Sequence, residues 1–304
     1  MDIPKARKYD IRFYFHEYMQ FTAIVCSKVD PASMNIKEKI IEMLGENESK
    51  EKNNMKLTYL NEDVCIVEIE NRLIYADNID ERISKAFDIK LKEIVFASRH
   101  TSKDGRKLLS CHVSGNVSTA DYGGKPYSLA KPSPITMKNY SLSLVKKMKE
   151  YKLDYMFSLE VTHHGPSEIK VPSAFYEIGS TEKEWRDELA AKLVAESIIE
   201  ALKSEKKDWI VAVGVGGTHY APRQTELELN TNLAFAHNFA KYTFEGLNKE
   251  FLKKAIEISE AEVVVIDEKS TISKIKNMVL EVCDDLNIKM YKTKQAKKDF
   301  APVG

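Results

Sequence analysis

Trp209-Ile210-Val211-Ala212-Val213-Gly214-Val215-Gly216-Gly217-Thr218-His219 passes from an unbroken apolar run into a glycine-rich turn that ends on histidine. The run predicts a buried strand over Trp209–Gly214, with His219 presented behind it. On its amino-terminal side, Thr181 with Glu184 forms a capping-box pattern. Trp185, Leu189, Leu193, Ile198 and Leu202 then mark one side of a long amphipathic helix that closes in the charged stretch Lys203–Asp208. A helix leading into a buried strand is the repeating unit of an α/β sheet.

The same alternation extends in both directions. Phe21–Cys26 is a β-type run that breaks at Asp30-Pro31, and Ile36, Ile40, Met43 and Leu44 follow at helical spacing. Residues 45–56 are polar and predict an exposed loop, with strands at about 57–60 and 63–69. Glu93–Ser98 predicts a strand that delivers Arg99 and His100, and a second near Leu108–Val113 carries His112. Pro132 and Pro134 open a helix to about Lys149, and strand Tyr155–Val161 releases His163 and His164. Strand Glu262–Ile266, helix Ile272–Val282 and strand Ile288–Tyr291 complete the series. The expected fold is therefore α/β, a mixed, mostly parallel sheet with helices on both faces. One domain is expected over 22–304 after an N-terminal extension at 1–21, with a small subdomain from the middle of the chain left open. Ligands of such sheets gather beyond the carboxyl ends of strands, where the histidine segments fall.

Composition narrows the class of function. The chain has 304 residues, of which 43% are hydrophobic, enough for a sizeable core. Lys plus Arg equals Asp plus Glu at 46 each, so any nucleic-acid contact must come from local patches. No apolar run approaches the roughly 20 residues that span a bilayer. The first twenty residues interleave Tyr9, Phe13, Tyr14 and Phe15 with charges and do not form a secretory signal, so a cytoplasmic protein is expected. Cys26, Cys65, Cys111 and Cys283 lie far apart with no close pair, and read as reduced core thiols.

Of the seven histidines, all but His16 lie in or after these segments, and His16, in an aromatic stretch, reads as structural. Glu160 precedes the His163-His164 pair by three residues, and imidazole with carboxylate suits zinc; a histidine capping a turn is the plainer alternative. The 214–219 loop lacks both GxGxxG and a Lys-Ser/Thr ending, so no nucleotide cofactor is expected. Its glycines allow close backbone approach, which would let loop amides at Gly217 and Thr218 face a substrate oxygen; turn geometry alone is the rival. Glu168 is a candidate general base or ligand. Arg99 and Arg223 offer guanidinium forks to phosphate, and Lys103, Arg106 and Lys107 adjoin the same site and could guide an RNA phosphate; a carboxylate partner is the alternative for the arginines. Lysines at 146–149, 203–207 and 289–298 read as solvated faces or tails.

Five segments together carry a resemblance: Val25-Cys26-Ser27-Lys28-Val29-Asp30-Pro31-Ala32-Ser33-Met34-Asn35-Ile36, Phe96-Ala97-Ser98-Arg99-His100, Glu160-Val161-Thr162-His163-His164-Gly165-Pro166, Glu177-Ile178-Gly179-Ser180-Thr181-Glu182-Lys183-Glu184-Trp185 and Gly216-Gly217-Thr218-His219-Tyr220-Ala221-Pro222-Arg223. Over about residues 22–291 the chain resembles the archaeal and plant-type D-aminoacyl-tRNA deacylases. The resemblance implies hydrolysis of the ester between a D-amino acid and the 3′ end of tRNA, two zinc ions per monomer, and a phosphorylase/hydrolase-like α/β fold. Zinc would be held by some of His100, Glu160, His163, His164, His219 and His237, with Glu168 or His112 moving protons and Gly217 and Thr218 at the oxyanion. Arg99, Arg106, Lys107 and Arg223 would meet the tRNA, and a monomer is expected. Two other readings stay open. A metallopeptidase or small-ester hydrolase predicts turnover without RNA, and a non-catalytic RNA-end binder predicts binding without product.

Overall fold

β1 (Gln20–Ser27) is buried from Phe21 to its end, and its breaker pair Asp30-Pro31 starts helix α1 (Pro31–Leu44), where the Asp30 carboxylate accepts the Ser33 amide. The structure is a computed structural model that describes residues 20–204 and 208–303. His16 and nearly all of the expected N-terminal extension lie outside the described residues, as do residues 205–207 of the charged stretch.

Further strands follow in chain order: β2 (Ser49–Lys52), β3 (Met55–Tyr59), β4 (Val64–Ile69), β5 (Lys90–Arg99), β6 (Leu108–His112), β7 (Gly115–Asn116) and β8 (Ser128–Leu129). The second half of the chain adds β9 (Met156–Leu159), β10 (Ser173–Gly179), β11 (Ile210–Val215), β12 (Leu233–Phe239), β13 (Val263–Ile266) and β14 (Lys289–Lys292). The larger sheet has the order β2-β3-β4-β1-β5-β10-β6-β9, the smaller β12-β11-β13-β14, and β7 pairs with β8 alone. In the larger sheet β4, β1, β5 and β10 run parallel, whereas β6 lies antiparallel to β10 and parallel to β9. The smaller sheet is wholly parallel. This is the mixed, mostly parallel α/β arrangement expected. β10 is buried at every residue and β1 at all but its first, so both faces of the sheet centre are covered; β1 reads as an apolar run, whereas β10, interrupted by Glu177, was not among the expected strands.

The remaining helices are α2 (Ile79–Phe87), α3 (Pro134–Glu150), α4 (Glu182–Trp185), α5 (Glu188–Lys203), α6 (Pro222–Asn230), α7 (Lys249–Ser259), α8 (Ser273–Asp285) and α9 (Thr293–Asp299). The single helix expected from Thr181 to Leu202 is in fact α4 and α5. The capping box at Thr181 closes one turn, and Asp187 accepts the Ala190 amide to start a second helix. The expected loop at 45–56 contains β2, an exposed edge strand whose backbone pairs with β3 while its Lys and Glu side chains stay in water. All four cysteines are free and buried.

Of three consecutive amides, the first still belongs to the larger sheet and the next two join it to the smaller. Glu160 N donates to Cys111 O (3.0 Å), Val161 N to His219 O (2.9 Å) and Thr162 N to Asn238 O (2.8 Å), carrying the chain from the end of β9 onto the smaller sheet. One continuous apolar core runs from Ile24 and Phe96 to Leu233, Phe235 and Val265, so the seam is packed as well as bonded.

Candidate active site

The site forms where this seam meets the middle of β10. Side chains alternate along a strand, so Phe175, Glu177 and Gly179 share one face of β10. His112 lies opposite Phe175 in register and stacks on its ring, with centroids 5.3 Å apart and planes 10° from parallel. His100 enters beside Gly179, where a Cβ would come 2.7 Å from the His100 side chain; only glycine leaves room for that ring. The backbone holds His100 in place: its amide donates to Ile178 O (2.9 Å), its carbonyl accepts Trp185 Nε1–H (2.9 Å), and Asp30 accepts the neighbouring Arg99 amide (3.0 Å). Because β6 runs against β5 and β10, the carboxyl ends that deliver His100 and His112 point in opposite directions. The site therefore lies along the face of β10, and not beyond one shared carboxyl edge as expected.

Glu177 bridges the two rings, with Oε2 3.5 Å from His100 Nδ1 and Oε1 3.8 Å from His112 Nε2. Glu160, wholly buried, sets Oε1 3.0 Å from His100 Nδ1 and Oε2 2.8 Å from His219 Nε2 and 3.7 Å from His163 Nε2. His163 Nδ1–H donates to Val161 O (2.7 Å) and His164 Nδ1–H to Gly165 O (2.6 Å). A donating Nδ1 leaves Nε2 with a bare lone pair, the tautomer a metal needs. His219 is held between Glu160 and the Tyr242 hydroxyl (3.1 Å from Nδ1), and His100 Nε2 meets the Tyr220 hydroxyl at 3.3 Å.

Electrostatics divides the rings into two kinds. Burial opposes charge on His100, but Glu160 and Glu177 outweigh it and raise the ring to about 11; against the same penalty Glu177 and Glu160 raise His112. Burial and the neighbouring His112 charge hold His163 well below the ordinary imidazole range and His164 down to about 3. Both carboxyls are held low in spite of burial, Glu160 by His100 and His219, Glu177 by His100 and His112.

Three trios bring ligand atoms within 4.8 Å of one another: His112, His163 and His164; Glu160, His163 and His219; His100, Glu160 and Glu177. His112 Nε2 is buried without a hydrogen-bond partner, with Glu177 Oε1 no nearer than 3.8 Å, a costly state unless something else satisfies it. Nitrogen and carboxylate donors, with bare Nε2 atoms, fit zinc.

The structure does not bring every expected residue to this cluster. His237 is wholly buried, with Nδ1 2.9 Å from Thr162 Oγ1 and Nε2 3.2 Å from Ala130 O, so neither nitrogen is left for a metal. Burial lowers its ring to about 3. Glu168 pairs with Lys125 at 2.5 Å. Of the loop amides expected at the oxyanion, that of Gly217 already donates to Ser270 Oγ (2.6 Å), as Gly216 N does to Phe239 O (2.8 Å), while Thr218 is exposed and its carbonyl accepts the Ala221 amide. The glycine at 216 is explained by its φ of +103° and by Thr271 Oγ1, which a Cβ would approach to 2.6 Å. Arg99 lies over Trp185 and Arg106 over Tyr220, and Arg106, Lys107 and Arg223 pair with Asp104, Asp154 and Glu226. Glu177, Tyr220 and Tyr242 were not singled out in the sequence as site residues. Only Glu177 carried a signal there, a lone carboxylate between Tyr176 and Ile178 in a buried strand.

Among the described residues no helix is long and apolar enough to cross a membrane. Residues 87–291 match the sequence profile described as D-aminoacyl-tRNA deacylase. A protein of that name from Archaeoglobus fulgidus is 57% identical over 280 residues, covering 92% of this chain and 99% of its own. Another from Pyrococcus furiosus is 40% identical over 271 residues, covering 88% and 98%. A crystal structure of a conserved protein of unknown function superposes with a TM-score of 0.89 at 55% identity, covering 93% of this chain and 99% of that one.

Proposed function

The chain belongs to the D-aminoacyl-tRNA deacylase family, and from that premise we propose that it hydrolyses the ester joining a D-amino acid to the 3′ end of tRNA, with zinc assisting. The observation that carries the zinc reading is that two of the three ligand trios share no residue. His112, His163 and His164 would hold one ion and His100, Glu160 and Glu177 a second, with His219 between them. When bound, zinc polarises a carbonyl oxygen as a Lewis acid and lowers the pKa of water beside it.

The chain's own residues then do the rest. His219 and His163 are 33% and 27% exposed while His100 and His112 are buried, so the ester approaches from the His219 side. With Nε2 bonded to Glu160, His219 would move a proton at Nδ1, through the Tyr242 hydroxyl, between the attacking water and the leaving ribose oxygen. Glu160, and not Glu168, is the carboxylate beside His219. His112, shut at the back of the site, holds a ligand position and has no path for carrying protons. A substrate of this kind places the protein's work in the cytoplasm.

The test compares D- and L-tyrosyl-tRNA hydrolysis with and without chelator, with metal analysis of the same sample. The expected outcome is release of D-tyrosine only, lost on chelation and restored by zinc. Full activity in metal-free protein would remove the zinc step, and no D-tyrosine release under any condition would remove the deacylase reading.

A further inference from the structure

The lysines near the carboxyl terminus, which the sequence presented as a solvated tail, line a cleft of about 220 Å³ together with Arg223 and Lys269. Four cations converge there from three places: Arg223 on α6, Lys269 in the turn after β13, and Lys294 and Lys297 on α9. Two carboxylates also line it, and both are engaged. Glu226 pairs with Arg223 and Lys297, and Glu268 accepts the Thr293 amide (3.1 Å) and hydroxyl (2.7 Å). Among the described residues Lys269 and Lys294 form no ion pair, and both are exposed. In a chain whose charges balance, this is a local positive excess with two uncommitted ammonium groups.

The cleft is coupled to the active site by position. Ser270, next to Lys269, accepts the Gly217 amide of the loop that presents His219. Arg223 follows His219 by four residues, which limits their separation to about 14 Å even in an extended chain. Building on the deacylase reading, we infer that the cleft formed by Arg223, Lys269, Lys294 and Lys297 binds backbone phosphates of the tRNA strand that carries the ester. Nucleotides preceding the esterified one must leave the His219 site along some surface, and phosphate is the group that paired and unpaired cations here would recognise without regard to base.

The test uses the full chain carrying Lys269→Gln with Lys294→Gln, and a conservative Lys269→Arg with Lys294→Arg control. Binding of a hairpin RNA ending in single-stranded CCA-3′ is followed by fluorescence anisotropy across a salt series. The Gln pair should bind about tenfold more weakly, with a log–log salt slope smaller by about 1 to 2, and the Arg pair should bind like the parent. The Gln pair should also raise KM for D-tyrosyl-tRNA with kcat held, and leave hydrolysis of 3′-O-D-tyrosyl-adenosine, which has no phosphate, unchanged. Unchanged RNA affinity and salt slope in the Gln pair overturn the inference. If the parent protein binds RNA through these lysines yet releases no D-tyrosine, the cleft stands and the deacylase reading fails. If it deacylates and the Gln pair does so equally well, the reverse holds.

Discussion

Glu177 is a carboxylate on a strand with no exposed residue, and a charge there is tolerable only because two imidazoles face it. Glu177→Gln keeps the volume and removes that charge. Residues that only orient metal ligands change affinity about 10- to 100-fold, so loss of the Glu177 ligand should lower zinc affinity by at least that much, with a parallel loss of turnover. Glu168→Gln, whose carboxylate faces Lys125, should stay within a few-fold of the parent. Zinc retained after equilibrium dialysis, read beside kcat, checks both; a Glu177→Gln protein with full zinc and full turnover would remove Glu177 from the site. These two residues also show what could be read beforehand. Glu160, His163 and His164 were visible because they adjoin one another in the chain. Glu177 meets His112 only through an antiparallel pairing that no local pattern announces. His237 looked equally eligible until Thr162 and Ala130, both far away in sequence, proved to occupy its nitrogens.

Elements were legible where one strand or helix could be read from its own periodicity, and less so where the environment decided. The strands holding Phe96 and Val213 have apolar centres and were placed, whereas β10, whose Ser173, Glu177 and Gly179 interrupt its apolar residues, was not among the expected strands. β2 was not, because an edge strand needs only backbone partners, and the break between α4 and α5 depends on one capping carboxylate, Asp187. The mostly parallel character was legible, but the reversal of β6 against β10 was not, which is why the site was expected at a single sheet edge. Asp30 illustrates how elements are tied to the site: Oδ1 caps α1 through the Ser33 amide, and Oδ2 accepts the Arg99 amide at the end of β5. Asp30→Ala loses the cap and leaves a half-buried amide without its partner, so stability should fall by about 1 to 3 kcal/mol. Asn offers one carbonyl oxygen for two donors and should fall between. Urea unfolding midpoints for the three proteins check the order, and Ala and Asn variants of equal stability would show that only one of the two bonds matters.

At the scale of the whole molecule, the seam that joins the two sheets buries imidazoles of opposite tendency. His164 and His237 are held at about 3, and His163 well below its usual range, whereas His100 is raised to about 11. A ring whose folded value lies below the ordinary value of about 6.5 is protonated in the unfolded chain but not in the folded one, so stability falls as pH drops from about 6.5 toward 3. A ring raised above 6.5 acts in the other direction: its contribution is complete below about 6.5 and is lost as pH rises through the folded value. These rings therefore place the greatest stability of the metal-free protein near pH 6.5, with an acid limb set by the neutral rings and an alkaline limb by His100 and His112. Each neutral ring adds a slope of about 1.4 kcal/mol per pH unit on the acid side. His237→Gln removes one such ring without touching the metal trios. Between about pH 4.5 and 6.5, above the ordinary range of the carboxylates, its acid limb should be shallower than the parent's by about 1.4 kcal/mol per pH unit, with the alkaline limb unchanged and zinc content at the parent level. Unfolding free energies measured in chelator across this range decide the matter. An acid limb of the parent's slope would mean that ring 237 is not held neutral, and a loss of zinc would return His237 to the metal site from which its two hydrogen bonds exclude it.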